Sequence, residues 1–364
     1  MTNEGVGLLF DGIDIGSVRI GNRFVRSATH EGLAGEDGSL TDRIQEMYVR
    51  LAKGGIGLIT SGYSYVSPCG KGSDGQQGIY DDRLIAGYSK LSAATRKHGS
   101  KFFIQIVHCG RSALVTKECP RPLAPSRSEI PGAKRLFKEM TEGDIQRTID
   151  DFVDAIRRAR EASADGVQLH CAHGFLLSSF LSPYLNRRED DWGGDTERRA
   201  RFVVEILRRG KKANPGFPIT VKMNVYDGID GGVDMEEAKR IAKILDREGI
   251  DAIETSGGIG EGPKEVTCQE IKDQSDEAYF KEYSKAIKRI VSCPVILVGG
   301  MRSLSVMRRM LDEKYADMVS LSRPLVREPN LVEKFAAGRS SSATCKSCNK
   351  CFDSDGVRCN YIGK

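Results

Sequence analysis

Residues 165–201 read ADGVQLHCAHGFLLSSFLSPYLNRREDDWGGDTERRAR. A short apolar strand over 166–169 delivers His170 at its C-terminal end, and His173 follows three residues later as the chain turns into an apolar run of helical character. Strand C-termini feeding loops are where parallel α/β proteins place their chemistry. Two neutral imidazole N–H groups at one spot can hold a carbonyl oxygen or a developing oxyanion. A histidine pair by itself would equally suit a packed core or a metal.

The same alternation continues on both sides of this stretch. Apolar runs lie at 23–28, 57–61, 102–107, 219–223, 252–255, 295–298 and 318–321, besides 166–169. Segments of helical period lie at 42–54, 81–98, 144–163, 198–213, 235–248, 279–291, 303–312 and 330–338. Strands apolar on both faces and separated by amphipathic helices pair in parallel through crossovers. Eight of each predict closure as a (β/α)8 TIM barrel. A doubly wound dinucleotide fold would want a Gly-x-Gly-x-x-Gly turn after an early strand, and there is none. Residues 16–21 predict a small hairpin capping one end of the barrel. The interruption over 109–140, with four prolines, is long enough to be a lid or a contact between subunits of a homo-oligomer. This divides the chain into a barrel domain over 1–338 and a cysteine-rich tail over 339–364.

Composition narrows the function classes. A chain of 364 residues with 39% hydrophobic content can bury a core of this size. Its formal charge of +5 comes from 55 basic and 50 acidic residues that interleave, which gives no support to nucleic-acid or membrane binding. No run approaches the ~18 apolar residues of a membrane span, and the start MTNEGVGLLFDG lacks the basic-then-apolar pattern of a signal peptide. The expected location is cytoplasmic. Cysteines 69, 109, 119, 171, 268 and 293 are scattered, as suits a reducing compartment rather than a disulfide framework.

Beyond the histidines the opening stretch runs Leu181-Ser182-Pro183-Tyr184-Leu185-Asn186-Arg187-Arg188, then Asp190, Trp192-Gly193-Gly194 and Arg198-Arg199-Ala200-Arg201. No amphipathic period explains that spacing. In these residues the chain resembles the Old Yellow Enzyme family of flavin-dependent oxidoreductases. Barrels of that family carry a His-x-x-His or His-x-x-Asn pair, then Gly-Tyr-Leu and a Ser-Pro-x-x-Asn-x-Arg-x-Asp-x-Tyr-Gly-Gly run. The resemblance implies bound FMN, NAD(P)H as donor, and a small-molecule substrate, an activated alkene whose carbonyl His170 and His173 hold. The family's usual proton donor, a tyrosine two places after the second histidine, is Phe175 here, and a phenyl ring has no proton to give. Tyr184, Tyr63, Tyr65, Tyr226 or solvent are the candidates in its place.

Other strand ends carry polar residues that packing does not ask for. Ser27-Ala28-Thr29-His30 follows the first strand and Gln105-Ile106-Val107-His108-Cys109-Gly110-Arg111 spans the end of the third. Small and polar residues at a barrel mouth suit a planar ligand with hydrogen-bonding edges. By resemblance, residues from Asn22-Arg23 onward form the first flavin-contacting strand. Gln105 then bonds the pyrimidine end of the ring, and His30 takes the position, usually Thr or Cys, beside the flavin C4 oxygen. A satisfied barrel polar is the other reading of Gln105. Lys222, ending the fifth strand, would be costly inside unless paired. Its partner is either the flavin N1–C2=O region, where a cation favours the reduced cofactor, or a neighbouring carboxylate. Gly299-Gly300-Met301-Arg302, Ser322-Arg323-Pro324 and Ser256-Gly257-Gly258 are glycine or arginine turns after late strands, where barrels bind phosphate. Singly they would be ordinary caps, and the resemblance makes them the site of the FMN phosphate.

The tail places Cys345, Cys348, Cys351 and Cys359 within fifteen residues. Thiols so close together point to metal. Long family members, the 2,4-dienoyl-CoA reductases and relatives, hold a 4Fe-4S cluster with cysteines there, and tetrahedral zinc fits the same thiolates. An unmetallated tail is the third reading. The FAD- and nicotinamide-binding domains of those enzymes do not follow Cys359, so a cluster would take electrons from a donor protein. The expected activity is hydride transfer from reduced FMN to an α,β-unsaturated carbonyl compound. The alternatives are flavin-dependent oxidation or demethylation of an amine or ether, and a non-redox phosphate-binding barrel enzyme using Lys222 or His170.

Overall fold

A computed structural model of the chain describes residues 7–127, 137–260, 266, 270–353 and 355–361. Eight parallel strands form a ring: β1 (Phe24–Arg26), β2 (Leu58–Thr60), β3 (Lys101–Val107), β4 (Gly166–Cys171), β5 (Ile219–Tyr226), β6 (Ile253–Gly257), β7 (Val295–Val298) and β8 (Met318–Leu321). Each pairs with the next, and β8 pairs with β1 through Val319 opposite Phe24, which closes the barrel. Closure leaves no open edge in this ring. The strands are buried along nearly their whole length, the reason their sequence shows no polar alternation.

The outer layer comprises α1 (Asp42–Lys53), α2 (Ile85–Arg96), α3 (Glu142–Glu161), α4 (Thr196–Ala213), α5 (Met235–Arg247), α6 (Lys281–Lys288), α7 (Leu304–Asp312) and α8 (Leu331–Ala336). In α5 the buried set includes Ala238, Ile241, Ala242 and Leu245, one face of a 3.6-residue period. Polar side chains set the starts. Thr141 and Asp144 form a capping box on α3, and Asp195 and Asp234 accept backbone N–H bonds at the starts of α4 and α5. The helix expected over 81–98 begins later, because Asp81 accepts from the Arg83 backbone and holds Asp82–Leu84 in a tighter turn.

The hairpin closes the barrel floor. Strands Ile13–Ile15 and Val18–Ile20 pair antiparallel, and Ile15 and Ile20 pack on Val25, Leu58, Phe103, Ala252, Ile296 and Met318. These contacts make the floor a packed apolar plug and leave the opposite rim for ligands. Gly166 admits the Phe103 ring, which a Cβ there would meet at 2.7 Å.

Two expectations change. Cys69 and Cys119 are joined in a disulfide with their Cα atoms 5.5 Å apart, so the scattered cysteines do not all stand free. The proline-containing segment after β3 folds back over the turn at Pro68–Gly70 and brings together two residues 50 apart in sequence, a proximity that spacing does not reveal. The tail is also more than an appendage. Ala343 and Cys345 belong to the main hydrophobic core, and Ser342 bridges to Ser303 at the start of α7. Cys268 and residues 128–136 of the long interruption lie outside the described residues. Among the described residues no helix is long and apolar enough to cross a membrane.

Candidate active site

At the C-terminal ends of the strands lies a cavity of about 520 Å3. Ser27 and Ala28 enter it after β1, Lys222 from β5, Ser256 and Gly258 at the end of β6, Gly300 after β7, and Ser320, Ser322 and Arg323 around the end of β8. His173 and Arg302 also line it.

The histidine pair is held by backbone bonds. His173 adopts φ +64, uncommon for a residue with a Cβ, and its backbone N–H donates to Asn224 Oδ1 at 3.1 Å. Its Nε2 shares a hydrogen bond with Ser256 Oγ at 2.8 Å. His170 Nδ1 accepts the backbone N–H of Ala172 at 3.3 Å, so the neutral ring carries its proton on Nε2. The two ring centroids are 5.1 Å apart at 83°. Burial, then the charges of His173 and Lys222, hold His170 well below the ordinary imidazole value. Burial and then Lys222 bring His173 down to about 3, against an opposing pull from Glu254. Both imidazoles are neutral at pH 7, as donation to a carbonyl without adding charge requires.

Lys222 is buried and paired. Its Nζ donates to Ser27 Oγ at 2.7 Å and to Glu254 Oε1 at 3.2 Å. Glu254 also accepts from Ser27 Oγ, Ser320 Oγ and Gln168 Nε2 at 2.8, 2.8 and 2.9 Å. Burial pushes the Glu254 carboxyl up, but Lys222 and these donors outweigh it and hold the group below its usual value. A neighbouring carboxylate is therefore present for Lys222, while the lysine still borders the cavity.

Not every candidate residue reaches the cavity wall. Gln105 donates to Gln168 Oε1 at 2.8 Å inside the barrel, so it is a bonded barrel polar in this structure. Thr29 shares a bond with Ser322 Oγ at 2.8 Å, behind the wall, and Gly299 precedes the lining Gly300. His30 stacks on Phe352 of the tail, with centroids 4.9 Å apart, and its Nε2 lies 3.2 Å from Ser73 Oγ. Tyr184 stands in a separate cleft with Arg111 and Phe137, under the Arg187 guanidinium, and is not brought to the histidines. Tyr65 stacks on Tyr80 and Tyr226 on Tyr283, whereas Tyr63 reaches within 6.3 Å of the His170 ring centroid.

The residues that give the opening stretch its irregular spacing hold backbone. Asn186 Nδ2 donates to the carbonyls of Phe180 and Trp192, and Arg188 to those of Pro125 and Met140. Arg199 binds the Leu181 carbonyl and pairs with Glu237. These bonds fix the path of the chain after β4 and so the position of His173. Sequence reasoning missed Asn224, Gln168 and Glu254, and named Ser256 only as part of a phosphate-binding turn; Gln168 and Glu254 are polar residues inside otherwise apolar strands, a signal that could have found them.

The cavity residues suit a flavin phosphate. Arg302 Nε is buried with no hydrogen-bond partner, on a side chain that lines the wall. Beside it Gly300 has φ +68, and a Cβ there would run into Ile271. An unpaired guanidinium N–H next to a bare backbone turn is a donor set for an anion.

Residues 8–342 match the family described as NADH:flavin oxidoreductase / NADH oxidase. Over 345 residues the chain is 37% identical to an NADH oxidase of Thermoanaerobacter brockii, covering 94% of this chain but 52% of that protein. It is 30% identical to a 4,4'-dithiodibutanoate disulfide reductase of Rhodococcus erythropolis, covering 99% of this chain and 96% of that one. Among solved structures, a 2-naphthoyl-CoA reductase superposes with a TM-score of 0.88 at 28% identity, covering 94% of this chain and 54% of that one. The chain thus spans about half the length of the NADH oxidase and of the naphthoyl-CoA reductase, and nearly all of the disulfide reductase.

Proposed function

Because the chain belongs to the NADH:flavin oxidoreductase / NADH oxidase family, that of Old Yellow Enzyme, we propose that it reduces the alkene of an α,β-unsaturated carbonyl compound, with FMN as cofactor and NAD(P)H as donor. The observation that carries this reading is the neutral His170–His173 pair, His173 lining the cavity and His170 buried edge-on behind it with its proton on Nε2. When bound, FMN supplies the centre that takes hydride from NAD(P)H and gives it to the alkene.

The chain's own residues do the rest. Arg302, Arg323 and the backbone after β7 and β8 would hold the phosphate, and Ser27 and Lys222, on the same cavity wall, would serve the ring. His170 donates to the substrate carbonyl, which draws electron density from the alkene and stabilises negative charge on the oxygen as hydride arrives. His173, with Nε2 tied to Ser256, keeps its ring edge-on to His170 and offers its other nitrogen. The charge of Lys222 favours a reduced, anionic cofactor. The test is NAD(P)H consumption by FMN-loaded protein with 2-cyclohexenone, with the product identified. Failure to retain FMN, or absence of the saturated ketone, would sink the reading.

Phe175 favours a second reading, oxidation or demethylation of an amine or ether, which needs no acid at that position. Formation of aldehyde from a methylated amine would select it.

We read the tail as a metal knuckle fed by a donor protein. Cys345, Cys359 and Cys348 lie close enough to act electrostatically on Cys351, and the Ser347 N–H donates to Cys345 Sγ at 3.5 Å. Ser347 and Asn349 hold φ +54 and +58, left-handed turns on either side of Cys348. Among the described residues no group of three or more His, Cys, Asp or Glu already stands in metal-holding geometry. Iron, sulfide and zinc analysis of anaerobically purified protein distinguishes the cluster, zinc and an unmetallated tail.

A further inference from the structure

We propose that Tyr63 delivers the proton that Phe175 cannot give, and that Ser73 and His30 restore it. This rests on the enone-reductase reading.

Tyr63 lies in the loop after β2. Its ring packs on Phe175 with centroids 5.4 Å apart and stands edge-on to His170 at 6.3 Å. The phenol thus leans over the ring that occupies the usual donor position. Tyr63 Oη and Ser73 Oγ share a hydrogen bond of 3.4 Å, and Ser73 Oγ and His30 Nε2 share one of 3.2 Å. A phenol, a hydroxyl and an imidazole nitrogen can each donate or accept, so the chain can carry a proton in one direction. His30 is half-buried, held between the Tyr63 ring at 5.1 Å and Phe352 at 4.9 Å, and it links the inner pair to the surface. Burial, with a contribution from the neighbouring Cys109, raises the Tyr63 phenol above its ordinary value, so it stays loaded with its proton.

The step balances with NAD(P)H as the reductant. Hydride forms the new C–H bond at the β-carbon and the alkene π pair shifts towards the oxygen held by His170. That pair then forms the Cα–H bond with the Tyr63 proton, leaving a phenolate. As the phenolate takes the Ser73 proton, Ser73 takes the Nε2 proton of neutral His30 and the imidazole ring takes one from water, so the net proton comes from water and hydroxide leaves to solvent. Phenylalanine in place of tyrosine keeps the packing and removes only the acid.

The experiment compares FMN-loaded wild type, Tyr63→Phe, Ser73→Ala and His30→Gln with 2-cyclohexenone and NADPH in H2O and D2O. General acids contribute roughly 10²–10⁴-fold, so kcat of Tyr63→Phe is expected to fall by about 100-fold or more. Ser73→Ala and His30→Gln are expected to fall by about tenfold, with a solvent isotope effect on kcat that differs from wild type, which a purely structural role would not produce. Ser73→Ala removes one hydroxyl from a half-buried loop and guards against misfolding of the tyrosine variant. Wild-type kcat and isotope effect in Tyr63→Phe would overturn the relay while leaving the enone reading intact. A wild type that makes no saturated ketone would overturn both.

Discussion

Lys222 Nζ and Glu254 Oε1 lie 3.2 Å apart inside the barrel wall, the lysine 4% and the glutamate 0% exposed. Removing one partner leaves the other charge buried without its counter-charge, which costs about 3–5 kcal/mol. Glu254→Ala is expected to lose stability on that scale in urea melts. The Glu254→Leu/Lys222→Met double variant should recover part of the loss, since it leaves no orphaned charge although Ser27, Ser320 and Gln168 lose an acceptor. An unchanged midpoint in Glu254→Ala would contradict the pairing.

Acid should destabilise the protein through its buried neutral histidines. Burial lowers His30 and His108 from 6.5 to about 4, and His173 to about 3. Between about 6.5 and 4 the unfolded chain therefore binds protons that the folded chain refuses. Stability is then full above 6.5 and drains away as pH falls through that window. His108, 1% exposed, alone contributes about 1.4 kcal/mol per pH unit there. Tm measured from pH 7.5 to 4.5 should drop steadily, and a flat profile would count against neutral buried histidines.

Removing an oxyanion donor typically costs roughly 10²–10³ in kcat. His170→Ala should lose that much on enones. His173→Ala should lose similarly, since His173 also sets the angle of the pair. His173→Asn, which restores a donor, should recover part of the rate. Steady-state kinetics with the FMN content of each variant measured separates chemistry from cofactor loss.

Arg302 holds the unpaired N–H at the proposed phosphate end. A charge-assisted hydrogen bond is worth about 1.5–3 kcal/mol, so Arg302→Met should weaken FMN binding by roughly 10- to 150-fold. Fluorescence titration of the apoprotein with FMN and with riboflavin gives the test. The loss should appear for FMN and not for riboflavin, which lacks the phosphate.

The barrel was legible because its physics is local. Strands buried on both faces and helices with one apolar face leave periods that survive in sequence, and each of the eight expected pairs appears within a few residues. The cavity lining was legible where one residue at or after a strand end suffices, as with Lys222 and Gly300. It was not legible where function depends on distant partners. The bonds that meet on Glu254 come from Ser27, Gln168, Lys222 and Ser320, far apart in sequence, the Cys69–Cys119 link spans 50 residues, and Ser73 meets His30 across 43. Asn186, Arg188 and Arg199, among the residues that carried the family resemblance, hold backbone carbonyls.

Gly338 closes the last helix of the barrel, and anyone trimming the protein to its smallest working body would cut there. The cut would lift Phe352 off His30, take the Cys345 and Ser347 carbonyls away from Arg302 and Arg323, and bare the seat of Ala343. What looks in sequence like a detachable handle is a doorpost of the cavity, so damage to its thiols would be felt at Arg302 and Arg323 on the cavity wall.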